Sequence, residues 1–394
     1  MTILYLLILA ALFGLLEWYL LKKAPEKLGY DIQPQVSRVE PGEPFTVVSE
    51  FTNDKRLPVL FLEAREKVPE SLELAAEPSK KDGPTLHRYP HAPSVLSRTF
   101  FLMPRQKLRA AFSCTLGRRG RYLFSGATLS VGDLLGLQTT PVSFDAYREV
   151  VVFPKAAATP ALDRALGGYL GDMSVQRFIH PDPMLIRGFT DYTGSEPMRS
   201  ISWPRSLQSG HLMVKEYDHT SELTASVLLG ITPPAKEEDA ADIEYAFSIA
   251  RSVAEALDRR RTAYTFRMNA LFGGSSAVES TSSTGGYGRA HLIGILDQLG
   301  RALYSIKHSP EELLEAASRS RKDTSACILI VSAATPSIYR AAARFENHVG
   351  CKVLVLDAHV LREHAKGAES GTEKETGNVH SSDVPPAFAE EVSA

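Results

Sequence analysis

The chain has 394 residues, 44% apolar and 23% charged, which is long enough for two ordinary domains with cores of their own. A formal net charge of -2 gives no global reason to expect nucleic-acid binding. Three widely spaced cysteines, Cys114, Cys327 and Cys351, argue against a disulfide framework or a zinc site and for buried or half-buried thiols in a reducing compartment.

The first element is apolar. Residues 3–21 carry one charge, Glu17. At ~1.5 Å rise per residue the run nearly spans a hydrocarbon core of ~30 Å. Glu17, Trp18 and Tyr19 lie near its end and suit a headgroup interface. Lys22, Lys23 and Lys27 follow, and no Lys or Arg precedes the run. This bias predicts a single-pass anchor over residues 1–23 in the inner (plasma) membrane, with the rest of the chain cytoplasmic. A cleaved signal peptide would need a basic leader and a small-residue cleavage site, and the sequence offers neither.

Residues 28–153 predict an antiparallel β-sandwich. β-rich runs recur at 31–36, 44–51, 59–65, 98–103, 108–115, 121–124 and 149–153. Gly42, Asn53-Asp54, Gly117, Gly120, Gly126 and Gly132-Asp133 punctuate them as turns. Residues 76–95 read as one long exposed loop. In Arg119-Gly120-Arg121-Tyr122 and in Gly132-Asp133-Leu134-Leu135-Gly136-Leu137, the glycines permit tight turns.

Residues 155–222 read as irregular and hold the most informative stretch, residues 186–217. Arg187, Tyr192, Gly194, Arg199, Ile201, Trp203, Ser206, Leu212, Val214, Lys215 and Tyr217 stand there at positions that resemble the signature of a bacterial membrane-protein family catalogued as domain of unknown function fifty-eight. That pattern is roughly Ile/Val-Arg-x-Tyr-x-x-Gly-Asp-x-x-Arg-x-Ile-x-Trp-x-x-Ser-Ala-Arg, then Leu-x-Val-Arg/Lys-x-Tyr/Phe-Glu. The chain departs from it at Ser195, where Asp is usual, and at Leu207, where Arg is usual; Glu196 offers a carboxylate one residue late. The 119–122 and 132–137 motifs are similar to the family's Arg-Gly-x-Tyr and Asp-Pro-Phe-Gly-Leu, with Leu134 and Leu135 replacing Pro-Phe.

From residue 223 to 365 the period changes. An apolar strand at 223–231, a helix at 242–259, a strand at 264–268, a helical run at 289–306, strands at 327–332 and 353–356, and a helix at 336–347 alternate. This predicts a mostly parallel sheet covered on both faces. The resemblance implies a von Willebrand type A-like α/β domain here. The expected fold class is therefore α+β multidomain: transmembrane helix, antiparallel β-sandwich, signature segment (155–222) packed on the α/β domain (223–365), and a disordered tail at 366–394. Residues 232–240 and 271–288 read as loops.

Few residues suggest chemistry. Von Willebrand type A-like domains often hold a divalent cation after the first strand, and a hard cation needs clustered oxygens. Residues 230–234, Gly-Ile-Thr-Pro-Pro, offer no carboxylate, so neither a metal nor a cofactor is expected. His87, His91, His180, His211 and His219 read as scattered surface groups, and no catalytic fingerprint appears. Arg187, Arg199, Arg205 and Lys215 either bind a phosphate or acidic partner or brace their own loop by pairing with Asp191, Glu196, Glu216 and Asp218. Trp203 is expected as a buried anchor.

The leading reading is a membrane-anchored, non-enzymatic protein-interaction module. The resemblance implies MoxR-type hexameric ATPases as partners, with the chain as adaptor in a chaperone-like assembly system that includes other membrane proteins. The candidate interaction residues are Arg187, Asp191, Tyr192, Gly194, Arg199, Trp203, Lys215 and Tyr217. The alternatives are an enzyme or binding protein for a phosphate-containing ligand, using Arg187, Asp191 and Arg199, and an extracytoplasmic envelope or adhesion module, which requires the opposite topology.

Overall fold

The computed structural model describes residues 5, 8–9, 12, 14–15, 19, 22–75, 84–89, 93–132, 139–157, 159–177, 186–217, 224–273, 285–320 and 325–372. The expected anchor therefore falls largely outside the described residues. Tyr5, Ile8, Leu9, Leu12, Leu15 and Tyr19 are helical and exposed. Among the described residues no helix is long and apolar enough to cross a membrane.

The chain is α+β, with mainly antiparallel sheets followed by a parallel one. Strands β1 (Leu28–Pro34), β3 (Phe45–Asn53), β8 (Gln106–Leu116) and β5 (Leu72–Leu74) form one antiparallel sheet in the order β1-β3-β8-β5. The second sheet runs β2 (Arg38–Val39), β10 (Thr139–Val152), β9 (Gly120–Gly132), β4 (Val59–Val68), β7 (Ser94–Leu102), β6 (Thr85–His87). The edge strand β2 alone joins its sheet in parallel, on β10, among the described strands of the sandwich. Period-two patterning drives this pairing: Phe45, Val47, Ser49, Phe51 and Asn53 of β3 are buried, and the residues between them are half-exposed. Two apolar clusters fill the sandwich, one around Phe124 and Leu116, the other around Phe51 and Leu62.

Three expectations in this region need correction. The runs at 121–124 and 149–153 are the ends of one long hairpin, β9–β10. Gly126 is not a turn: it lies inside β9, with φ +102, opposite the bulge that Asp145 and Ala146 make in β10. A Cβ on Gly126 would lie 2.0 Å from the Phe144 carbonyl oxygen. Within 76–95, β6 pairs with β7, so the segment is not all loop.

The α/β unit has a parallel sheet ordered β14 (Ala263–Met268), β13 (Thr224–Gly230), β17 (Ala326–Val331), β18 (Val353–Asp357). Its first strand is central, and every residue of β17 is buried, as a sheet covered on both faces requires. Helices α1 (Pro160–Arg177), α3 (Glu237–Arg259), α4 (Arg289–Arg301) and α7 (Ala358–Thr372) pack with Ala225, Val227 and Leu229 on one face. Helices α5 (Pro310–Ser320) and α6 (Pro336–Val349) pack with Leu228, Cys327 and Leu329 on the other. Asp239 closes the first turn of α3 by accepting the Ala235 and Lys236 N–H groups at 2.9 Å.

Here too the sequence reading is corrected. Residues 160–177 are not irregular: Leu162, Leu166 and Leu170, four apart, form one buried stripe of α1. The helical run expected at 289–306 stops at Arg301, because Ala302–Ile306 (β16) pairs antiparallel with Ala270–Phe272 (β15). The helix α3 begins inside the expected 232–240 loop, and α7 extends past 366 to Thr372. Residues 373–394 of the expected tail lie outside the described residues. All three cysteines are buried and free, as expected.

Candidate functional site

Two regions bring candidate residues together. The first is the signature itself, where β11 (Ile186–Asp191) and β12 (Met213–Tyr217) form an antiparallel hairpin sheet. A 3-10 turn (Met198–Ser200) and a short helix, α2 (Trp203–Ser209), lie between them. Pro204 suits the first turn of α2, and Gly210 ends it with φ +76. The motif's Ser206 ties the helix down: its hydroxyl donates to the Ser202 carbonyl and accepts the Met213 N–H, both at 2.9 Å. Ile201 bridges Val214, and both are buried.

That attachment decides where the signature side chains go. Ser202 and Ser206 face β12, so Trp203 and Leu207, one position further round a 3.6-residue turn, face away. Trp203 is 58% exposed and Leu207 85% exposed, so Trp203 is not the buried anchor expected of it. Met198 and Leu212, on either side of the helix, are exposed as well.

Asp191 and Glu196 do not take the arginine partners of the bracing reading, while Asp218 and the side chain of Arg187 lie outside the described residues. Asp191 pairs with His211 at 2.8 Å rather than with an arginine. Glu196 accepts from the Thr193 N–H and hydroxyl at 3.0 and 2.8 Å, and the hydroxyl bond holds its carboxyl below the usual range. Arg205 lies 5.2 Å from the Phe189 ring centroid. Arg199 is exposed and forms no ion pair among the described residues. Lys215 is half-buried opposite Phe189, Tyr192 donates its N–H to the Leu212 carbonyl at 2.9 Å, and Gly194 takes φ +93. Arg187 is the extra residue of a bulge in β11, and Tyr217 pairs with Ile186. The corrected account is a loop braced by hydroxyls, a His–Asp pair and an Arg–aromatic stack.

The second region is the seam between the sandwich and the α/β unit. Arg119, only 3% exposed, donates through Nε to both Glu244 oxygens at 2.9 and 3.0 Å. Its Nη1 donates to the Leu299 and Ala302 carbonyls, and its guanidinium lies 3.4 Å from the Phe247 ring centroid. Tyr304 donates to Glu244 at 2.7 Å, and burial pushes its phenol up to about 12. A chain of alternating charges, Arg38–Asp297–Arg301–Glu149–Arg121, runs alongside. Arg251 joins Glu40 to the Pro154 carbonyl. At Gly300 a Cβ would come 2.5 Å from Val151 Cγ1, so the two units approach to backbone contact there. A cleft of about 720 Å³ opens beside Arg119, between Arg118, Tyr122, Lys155, Glu237 and Tyr245. Arg119, Arg121 and Tyr122 stand out in the sequence only as part of a turn motif; the other seam residues carry no local signal.

The carboxyl ends of β13 and β17, where the strand order reverses, are closed. Pro310 sits where a Cβ on Gly230 would be, at 2.8 Å, and Thr232 N–H donates to Ser332 at 3.2 Å. Among the described residues no group of three or more His, Cys, Asp or Glu side chains is placed to hold a metal ion. His87 hydrogen-bonds Ser97, whereas His91, His180 and His219 lie outside the described residues.

No family model matches the chain, and no curated protein does. Among solved structures it is similar to the CARDB domain of the PF1109 protein from Pyrococcus furiosus, at 16% identity and TM-score 0.21, covering 32% of this chain and 92% of that one. A cohesin module from a Clostridium perfringens family 33 glycoside hydrolase matches at 15% identity and TM-score 0.22, covering 31% and 96%. Spo0M, a sporulation control protein from Bacillus subtilis, matches at 13% and 0.20, covering 42% and 57%.

Proposed function

We propose that the chain is a membrane-anchored, non-enzymatic interaction module that docks a protein partner through its signature hairpin. The observation that carries this reading is the apolar ridge of Trp203 and Leu207, held outward by Ser206. An exposed tryptophan and leucine one turn apart, flanked by the cations Arg199 and Arg205, have the composition of an interface hot spot.

The resemblance to domain of unknown function fifty-eight supplies the partner: a MoxR-type hexameric ATPase, with the α/β unit as a metal-free von Willebrand type A-like domain on the cytoplasmic side of the inner membrane. The apolar, exposed helical residues of the N-terminus support the anchor. The seam network supports a sandwich and an α/β unit that move together as one rigid adaptor.

The test is direct binding of the purified full chain to the host's MoxR-type ATPase, read by isothermal titration calorimetry. Wild type binds, and Trp203→Ala weakens binding by roughly thirty-fold, the loss of a ~2 kcal/mol hot spot. No binding by wild type defeats the adaptor reading. Protection from melting by a phosphate compound, lost in Arg199→Ala, replaces it with the ligand-binding alternative. A compartment-sensitive reporter after residue 394 tests the topology: an extracytoplasmic signal moves the envelope reading to first place.

A further inference from the structure

The N-terminal helix meets the sandwich at one end, where the turn after the helix, the β3–β4 turn and the β7–β8 turn come together. A pocket of about 440 Å³ lies among them. Five cations line it, Lys23, Lys27, Lys55, Arg56 and Arg105, against two carboxylates, Glu26 and Asp54. Lys23 engages Glu26 at 2.7 Å. Lys55, 8% exposed, donates to the carbonyls of Ala24 and Glu26 and so holds the end of the helix against the sandwich. Lys27, Arg56 and Arg105 remain exposed on the rim and form no ion pairs among the described residues.

The pocket is built, not accidental. Lys27 and Arg105 both adopt left-handed backbone, with φ 52 and 55, a conformation that side-chain-bearing residues rarely take. Their strain is held by Asp54 N–H donating to the Lys27 carbonyl and Arg105 N–H donating to the Lys55 carbonyl, each at 3.1 Å. Buried Asn53 ties both sandwich turns, donating to the carbonyls of Leu57 at 3.0 Å and Met103 at 2.9 Å. Beside these cations the large apolar side chains of Leu60, Phe101 and Met103 stand exposed on the same turns and strand ends.

We propose that this pocket binds the phosphodiester of an anionic phospholipid, with Lys27, Arg56 and Arg105 on the phosphate and Leu60, Phe101 and Met103 against the headgroup–acyl boundary. The inference rests on the anchor reading: a helix that inserts in the bilayer brings this end of the sandwich to headgroup depth. Forked guanidiniums suit a phosphate, and each Lys or Arg near an anionic surface contributes an attraction worth roughly five-fold in binding. Apolar side chains ringed by cations are the composition that partitions into a bilayer interface. The lipid contact would set the orientation in which the sandwich, and with it the signature hairpin, faces the cytoplasm.

The test uses the full chain reconstituted in phosphatidylcholine vesicles with and without phosphatidylglycerol. Spin-labelled lipids report the relative association of each lipid with the protein. The proposal expects a preference for phosphatidylglycerol that falls by roughly five-fold for each of Lys27→Gln, Arg56→Gln and Arg105→Gln, with melting temperature unchanged for Arg56→Gln, whose exposed side chain forms no ion pair among the described residues. Flotation with vesicles but equal association of both lipids, in wild type, overturns the pocket and leaves the anchor intact. Failure to float with either vesicle overturns the anchor instead, and the lipid proposal with it. If inorganic phosphate raises the melting temperature of wild type but not of Arg56→Gln, while lipid preference is absent, the pocket serves a soluble phosphate and the lipid proposal is wrong.

Discussion

The seam and the signature hairpin use the same residue type in opposite ways. At the seam, Arg119 is buried, with its donors directed at Glu244 and two carbonyls and its face on Phe247. In the hairpin, Arg199 and Arg205 are exposed beside an exposed tryptophan. A guanidinium whose donors are satisfied inside the protein holds two units together. Arg199 stands in water beside apolar surface, and Arg205 keeps its exposure while lying over Phe189. The contrast separates the part of the molecule that holds the two units together from the part proposed to bind.

Breaking the seam should have the largest effect. Arg119→Ala leaves the carbonyls of Leu299 and Ala302 without this donor, at ~1–3 kcal/mol each, and leaves half-exposed Glu244 with Tyr304 alone, so it should cost ~3–5 kcal/mol in urea unfolding. A loss below 1 kcal/mol would mean that the units barely depend on each other.

The helix attachment should show itself through pH. Burial holds the Lys55 amine down at about 8 against its ordinary 10.5. The unfolded chain therefore holds the proton over that window and the folded chain does not, so stability rises with pH from about 8 to 10.5. The difference between wild type and Lys55→Met, followed by thermal melting across this range, should reach up to about 3 kcal/mol; a flat difference would place Lys55 in water.

Inside the sandwich, Gly126→Ala puts a Cβ into the Phe144 carbonyl at a positive φ and should cost about 1–3 kcal/mol by chemical denaturation. At the other end of the scale, Leu207→Ala should change stability by less than about 0.5 kcal/mol, because the side chain touches little. It should nevertheless weaken partner binding alongside Trp203→Ala. Equal losses of stability and binding would erase the distinction between the two regions.

Much of the fold was legible. Alternation in β3 and the continuous apolar runs of β13 and β17 announce a half-covered and a fully covered sheet, because side-chain period follows directly from backbone geometry. The bulge opposite Gly126 and the strand at 302–306 were not legible, since glycine and short apolar runs serve turns, bulges and helices alike. The stripe of α1 was present in the spacing of Leu162, Leu166 and Leu170, but Gly167, Gly168 and Gly171 mask it by weakening the helical propensity of the segment.

What the sequence determined by itself is the order of units, the cysteine chemistry and the position of the signature, all of which depend on residue type and local period. Tertiary structure decided the rest. Arg38 and Asp297 are separated by 259 positions and meet only because the two units close on Gly300. Trp203 points outward only because Ser206 binds β12. Lys27, Lys55 and Arg105 form one cationic pocket only because three turns converge at one end of the sandwich. Each of these depends on partners distant in sequence, and no local pattern encodes a distance between residues the chain brings together only by folding.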